Sequence, residues 1–277
     1  MKGAPGTDYR PPLPLNDKQS DGCVLLPSSD AAESKTQPNA QAKHRTKSKM
    51  THVVIIGGGP AGIACAQGLA KQLKASDKTE VVVLEKSAYF YHVIGAPRAY
   101  VEAEYANKMF IPYDDAIPKH AAGYVRVMRA VATGISADRS EVSYRMIGSD
   151  DKESATTQTL GFDYLVLAMG STYTVPIKQD SSNYARSTTE AQLQEVRSQV
   201  EKANKILVVG GGSVGCEVAG EIKAKYPTKT VTILDAQNKL VASNNLRDKF
   251  NLYLNLALDK LDVKVILGER LIERLDD

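Results

Sequence analysis

One arrangement occurs twice in this chain and restricts its fold more than any other feature. An apolar strand runs into three consecutive glycines, a helix of small residues follows, and a second strand ends in a carboxylate. In the first copy residues 53–56 (VVII) lead into Gly57-Gly58-Gly59-Pro60-Ala61-Gly62, then Ile63, Ala64, Ala66, Leu69 and Ala70. A short, wholly apolar run before such a loop predicts a strand buried on both faces, hence a parallel sheet. In the G-x-G-x-x-G pattern Gly57 permits the tight turn, Gly59 lets the backbone approach a pyrophosphate, and Gly62 lets helix and strand pack closely. The helix N-terminus then presents N–H groups and partial positive charge to phosphate. A glycine triplet alone is a weak signal. Its confirming context is the run Glu80-Val81-Val82-Val83-Leu84-Glu85, which sets an acid 23 residues after Gly62, where a carboxylate can accept both ribose hydroxyls of an adenosine.

The second copy reads residues 205–209 as strand, Gly210-Gly211-Gly212-Ser213-Val214-Gly215 as loop, residues 216–225 as helix stopped by Pro227, and residues 230–234 as the next strand. Asp235 ends it 20 residues beyond Gly215. Two such sites imply two dinucleotides held for electron exchange, and because two nicotinamides gain nothing by facing each other, one of the two is expected to be a flavin. A carboxylate at 235 favours the free 2′-hydroxyl of NADH and repels the 2′-phosphate of NADPH, and Ala236, Gln237 and Asn238 bring no Arg to reverse this. NADH is the expected nicotinamide, with NADPH as the alternative.

The fold class that follows is α/β, with two Rossmann-like dinucleotide-binding domains. The apolar stretch 53–70 is about as long as a short membrane span, but three glycines and a proline near its middle would break such a helix. Hydrophobic residues at 43%, charged residues at 24% and a net charge of +3 are ordinary globular values. That charge is all in the first 50 residues, which hold eight Lys or Arg and five Asp or Glu, six of the twelve prolines, and one aromatic, Tyr9. Such a segment cannot bury enough apolar surface to offset its ordering entropy, so residues 1–50 read as a disordered tail. Its acids sit badly with a mitochondrial transit peptide, and it lacks a signal-peptide run, so a cytoplasmic location is expected over a mitochondrial one. The basic cluster Lys43-His44-Arg45-Thr46-Lys47-Ser48-Lys49 offers charge to anionic lipid, which allows peripheral membrane contact, but it reads first as a solvated linker and specifies no nucleic acid. Three cysteines, Cys23, Cys65 and Cys216, form no CxxC or CxxxxC pair, which argues against a disulfide framework and against a thiol relay. No metal site is expected, and nothing in the pattern sets an oligomeric state.

With these motifs in view the chain resembles the pyridine-nucleotide flavoprotein oxidoreductases, and within them the apoptosis-inducing-factor 2, or ferroptosis-suppressor, branch, close to type II NADH dehydrogenases. The resemblance runs from about residue 51 to the C-terminus. It rests on VVIIGGGPAGIACA, on YFYHVIGAPRAYVE with MFIPYDD after it, on FDYLVLAMGS, and on ILVVGGGSVGCEVAGEIKAKYPTKTVTIL. It implies that the first site takes FAD, with Gly57, Gly58, Gly59, Ala61 and Gly62 at the pyrophosphate and Glu85 at the ribose. It also implies Arg98 near the flavin, Ala132 or Val131 reading adenine through the backbone, Gly170 in a turn beside FAD where Met169 departs from the usual Thr, and His92 facing the flavin. At the second site it places Gly210, Gly212, Gly215 and Asp235 on the nicotinamide nucleotide. Glu217 and Lys178 are its catalytic candidates. The implied activity is FAD-dependent oxidation of NAD(P)H, with electrons leaving to a quinone-like or other small acceptor.

Residues 189–203 are predicted as an amphipathic helix with a capping box of Thr189 and Gln192, residues 246–261 as another helix, and residues 263–267 as a further parallel strand. The domains then run 51–185 for FAD and 186–277 for NAD(P)H, both incomplete by comparison with the resembled enzymes. The expectation is a C-terminally shortened chain whose second sheet has an uncovered edge. The alternative function is a dinucleotide-binding protein without turnover.

Overall fold

The computed structural model describes residues 24–27, 49–173, 176–180, 183, 185–242 and 246–273. The first glycine loop belongs to a seven-stranded sheet ordered β1-β9-β2-β3-β6-β7-β8. Here β1 is Val24–Pro27, β2 Thr51–Ile56, β3 Thr79–Glu85, β6 Val125–Ile135, β7 Glu141–Met146, β8 Gln158–Gly161 and β9 Tyr164–Leu167. β9, β2, β3 and the first part of β6 are parallel. Apolar on both faces, β2 and β3 are buried on both. Val53 and Ile55 pack towards the helix α1 (Pro60–Gln72), while Val54 and Ile56 pack with Val82, Leu84, Ala130, Val142 and Tyr144. That second layer exists because β6 is long. Residues Val125 to Arg129 pair with β3, and from Ala130 onward the strand turns to pair antiparallel with β7, which pairs in turn with β8. Within the segment expected to be disordered, Val24–Pro27 is an antiparallel edge strand on β9. The rest of residues 1–48, including the basic cluster up to Ser48, lies outside the described residues.

Between β3 and β6 the chain forms a two-stranded hairpin of β4 (Tyr89–Tyr91) and β5 (Phe110–Pro112), with short helices α2 (Ala96–Ala99) and α3 (Ala103–Lys108) in its loop. The helix α4, Arg186–Lys202, buries Leu193 against Ala96, Ala99, Met109 and Phe110, and its Arg186 guanidinium lies over the rings of Tyr89 and Phe110. The predicted capping box does not form. α4 starts three residues earlier than expected, Ala185 is its N-cap, and Thr189 is buried one turn inside, its hydroxyl accepting from Gln179.

The second loop belongs to a separate parallel sheet of β10 (Lys205–Val209), β11 (Thr230–Asp235) and β12 (Val263–Leu267). Sheet order equals chain order, so right-handed crossovers put α5 (Ser213–Lys225) and α6 (Asp248–Lys260) on one face. One cluster accordingly contains Cys216, Ala219 and Ile222 of α5, Leu258 of α6, and Val231, Ile233 and Val263 of the strands. Val101 of the first unit enters the same cluster and ties the units together. Two lysines fix the ends of these helices. The buried Lys223 ammonium donates to the carbonyls of Pro227 and Lys229 and to the Asp262 carboxylate, and Lys229 donates to the Glu201 and Ala203 carbonyls at the end of α4. Burying an ammonium is costly without such partners.

Candidate functional site: two glycine loops and the clefts beside them

The two loops are built alike. Gly57 and Gly210 take φ of +103° and +108°, a region that disfavours side chains. A Cβ at Gly62 would collide with the Gly57 carbonyl, and one at Gly215 with the Gly210 carbonyl. Each following carboxylate accepts two backbone N–H bonds. Glu85 takes the Gly58 N–H at 2.5 Å and the Ser87 N–H at 2.8 Å; Asp235 takes the Gly211 N–H and, at 2.7 Å, the Gln237 N–H. In both places the acid braces its loop and keeps lone pairs for a further donor.

Whether a dinucleotide's phosphates fit here is tested by the space in front. A Cβ on Gly59 or Gly212, the N-caps of α1 and α5, would meet no atom within 4 Å, and neither helix start carries a side-chain cap. Open room before uncapped helix N–H groups is what a pyrophosphate requires. In front of the first loop it widens into a cavity of about 640 Å³, lined by Gly57, Gly59, Ala61, Glu85, Tyr113 and Lys178 among others. Gly170, at φ +71°, lines it too, next to the Lys178 ammonium, which donates to the carbonyl and hydroxyl oxygens of Ser171.

Not every residue implied by the resemblance comes to this cavity. The Arg98 guanidinium turns away to α5 and holds Glu221 Oε1 through Nε at 3.0 Å and Nη2 at 2.8 Å, a forked ion pair that fixes its direction. Its pKa is raised by that hydrogen bond and charge. Ala132 sits on β6 opposite Tyr144, beside a bulge that carries the strand into the β7 pairing, and its side chain packs against the core. Glu217 and Lys178 are not brought together. Lys178 lines the first cavity, whereas Glu217 lines a second cleft of about 510 Å³ between the units, with His92, Arg98, Tyr105 and Glu221. Beside Arg98 and Glu221, the Lys225 ammonium pairs with Glu102, so α2 and its flank are bound to α5 by two ion pairs.

Tyr113 was missed by sequence reasoning. Its hydroxyl donates to the Gly58 carbonyl at 2.9 Å, and burial with the nearby Glu85 charge pushes its pKa far up. The only sequence signal was its place in MFIPYDD, a segment of the resemblance with no role attached. Cys65 packs against the first core and Cys216 lies in α5, its thiol pointing to the Gly211 carbonyl at 3.6 Å. Burial pushes the Cys216 pKa up to about 11. Among the described residues no cluster of three or more His, Cys, Asp or Glu could hold a metal, and no helix is long and apolar enough to cross a membrane.

Comparison with known proteins agrees with this geometry. Apoptosis-inducing factor homolog A of Dictyostelium discoideum is 36% identical over 222 residues, covering 78% of this chain and 50% of that protein. Ferroptosis suppressor protein 1 of Homo sapiens is 34% identical over 219 residues, covering 79% and 52%. The chain spans about half the length of the curated relatives it matches. In fold it is similar to the solved sulfide:quinone oxidoreductase of Aquifex aeolicus, with a TM-score of 0.58 over 79% of this chain and 51% of that one at 15% identity. Residues 51–277 match the pyridine nucleotide-disulphide oxidoreductase family, and the chain belongs to that family.

Proposed function

We propose that this chain carries the two dinucleotide sites of an FAD-dependent NAD(P)H oxidoreductase that passes a hydride from NADH to flavin and electrons onward to a quinone-like acceptor. The observation that carries this reading is the doubled loop, with a carboxylate bracing each copy and open space before each helix. Gly57 to Gly62 and the start of α1 would hold the FAD pyrophosphate, and Glu85 its ribose. Gly210, Gly212, Gly215 and Asp235 would hold the nicotinamide nucleotide. When bound, the flavin supplies two-electron acceptance and a route out for electrons one at a time. The chain's own part is to orient both nucleotides. Asp235 accepts hydrogen bonds from Gly211 and Gln237 and leaves a negative edge at the end of β11, which supports NADH over NADPH. A quinone-like acceptor is supported by the kinship with the suppressor protein, and among the described residues Cys65 and Cys216 stand in different units, which offers no thiol relay between them.

Glu217 and Lys178, the two catalytic candidates, line different cavities, which favours a second reading in which the chain holds dinucleotides without turnover. Visible spectroscopy separates the two. A purified yellow chain bleached by NADH and recoloured by a quinone supports the oxidoreductase; a yellow chain that NADH leaves unchanged supports binding alone; a colourless chain that takes up no FAD rejects both.

A further inference from the structure

Gly58 is held through both of its peptide groups. Its N–H goes to Glu85 and its carbonyl accepts the Tyr113 hydroxyl. A trans peptide is planar, so the Gly58 carbonyl and the Gly59 N–H point in opposite directions. Whatever fixes the carbonyl therefore fixes where Gly59, the N-cap of α1, aims its N–H. The second loop meets the same demand with a different donor. There the Gly211 carbonyl accepts the Val241 N–H at 2.8 Å, and Val241 sits at φ +51°, a left-handed conformation that strains a β-branched residue. The same carbonyl is anchored in both loops, by a phenol in one and by a strained backbone amide in the other. Such recurrence marks the anchor as a requirement of the loop.

We propose that Tyr113 is a positioning residue of the first dinucleotide site, turning the Gly58–Gly59 peptide so that the Gly59 N–H faces the open cavity and a phosphate placed there. The hairpin brings it into place. β4 begins just after Ser87, β5 ends at Pro112, and Tyr89 pairs with Pro112, so the residue after Pro112 comes beside Glu85. A Cβ at Gly58 would lie 2.9 Å from both the Tyr113 hydroxyl and Glu85 Cβ, so the clamp closes only over glycine. Burial and the Glu85 charge keep the hydroxyl protonated and therefore a donor.

The inference rests on the first site taking FAD, and its test keeps the two questions apart. Tyr113→Phe removes the hydroxyl and leaves the ring. In the full chain stripped of flavin, FAD affinity read from quenching of flavin fluorescence is expected to weaken about tenfold. NADH affinity at the second loop should stay within error, and the flavin-free chain should melt no more than a few degrees lower. Unchanged FAD affinity in Tyr113→Phe overturns the inference alone. So does an equal loss at both sites that follows a lowered melting temperature, because that marks general destabilisation. A wild-type chain that takes up no FAD overturns the inference and the proposed function together.

Discussion

Position by position, the strands leading into the two loops correspond, yet they end in different surroundings. Val53 and Ile55 of β2 match Ile206 and Val208 of β10, and all four turn towards the helix that follows their own loop. Val54 and Ile56 match Leu207 and Val209. The first pair is 0% and 8% exposed beneath the β6–β8 layer, the second 49% and 58% exposed with no such layer above it among the described residues. The uncovered edge expected from the sequence is there, since β10 and β12 pair with no further described strand, and the structure bares a face as well. The loop grammar thus dictates the helix side and the nucleotide site in both units, while the opposite side depends on what the chain adds afterwards. Residues 125–161 supply that addition in the first unit.

The sharpest way to break the correspondence is to insert one methyl into each loop. Gly62→Ala and Gly215→Ala drive a Cβ into the carbonyl of Gly57 or Gly210, and overpacking against rigid backbone costs about 3 kcal/mol. Gly62→Ala is expected to lose FAD through gel filtration while NADH still binds, and Gly215→Ala to show the reverse. Loss of both ligands in either variant would mean that the units do not act separately. Next in size is the face. Val54→Ala opens a hole in a closed layer and should lower unfolding free energy by about 2 kcal/mol. Leu207→Ala at the matching position should change it by no more than about 0.5 kcal/mol and should reduce binding of a hydrophobic dye. Equal costs by denaturant titration would show that something covers both faces in solution.

What the sequence disclosed follows the same division. Strands and helices around each loop were legible because their signal is local: an apolar run, a glycine turn, small residues at helical spacing. The hairpin β4–β5 was not, since three residues such as Phe110–Pro112 show no periodicity, and the one that is buried, Phe110, packs with α4, some 75 residues further on. Arg98 could not be placed from its neighbours because its partner, Glu221, is 123 residues away on another unit. Thr189 looked like a cap only because the start of α4 is marked by no capping side chain.

The acids give a smaller effect and sharpen the comparison. Glu85→Gln and Asp235→Asn each replace a charged acceptor of two N–H bonds with a neutral one, a change worth about 1.5 kcal/mol or roughly tenfold in affinity. Each should weaken only its own nucleotide. Asp235→Ser should in addition narrow the preference for NADH over NADPH, and an unchanged ratio of the two affinities would reject Asp235 as the ribose reader.

The smallest difference concerns the thiols. Cys216 stands where the second loop turns into α5, and burial followed by the charges of Asp235 and Glu217 raises its pKa from 9.0 to about 11. The folded chain therefore holds this proton more tightly than the unfolded one. The stability it contributes is fully present below pH 9 and is lost as pH rises through about 11. Because the thiolate is the reactive form, Cys216 should alkylate slowly at pH 8 in the folded chain and rapidly in denaturant. NADH bound at the second loop should slow it further, by covering the loop and suppressing local opening. Fast alkylation of native Cys216 at pH 8, followed by mass spectrometry, would show that the second loop opens far more readily than its bracing by Asp235 and Val241 implies.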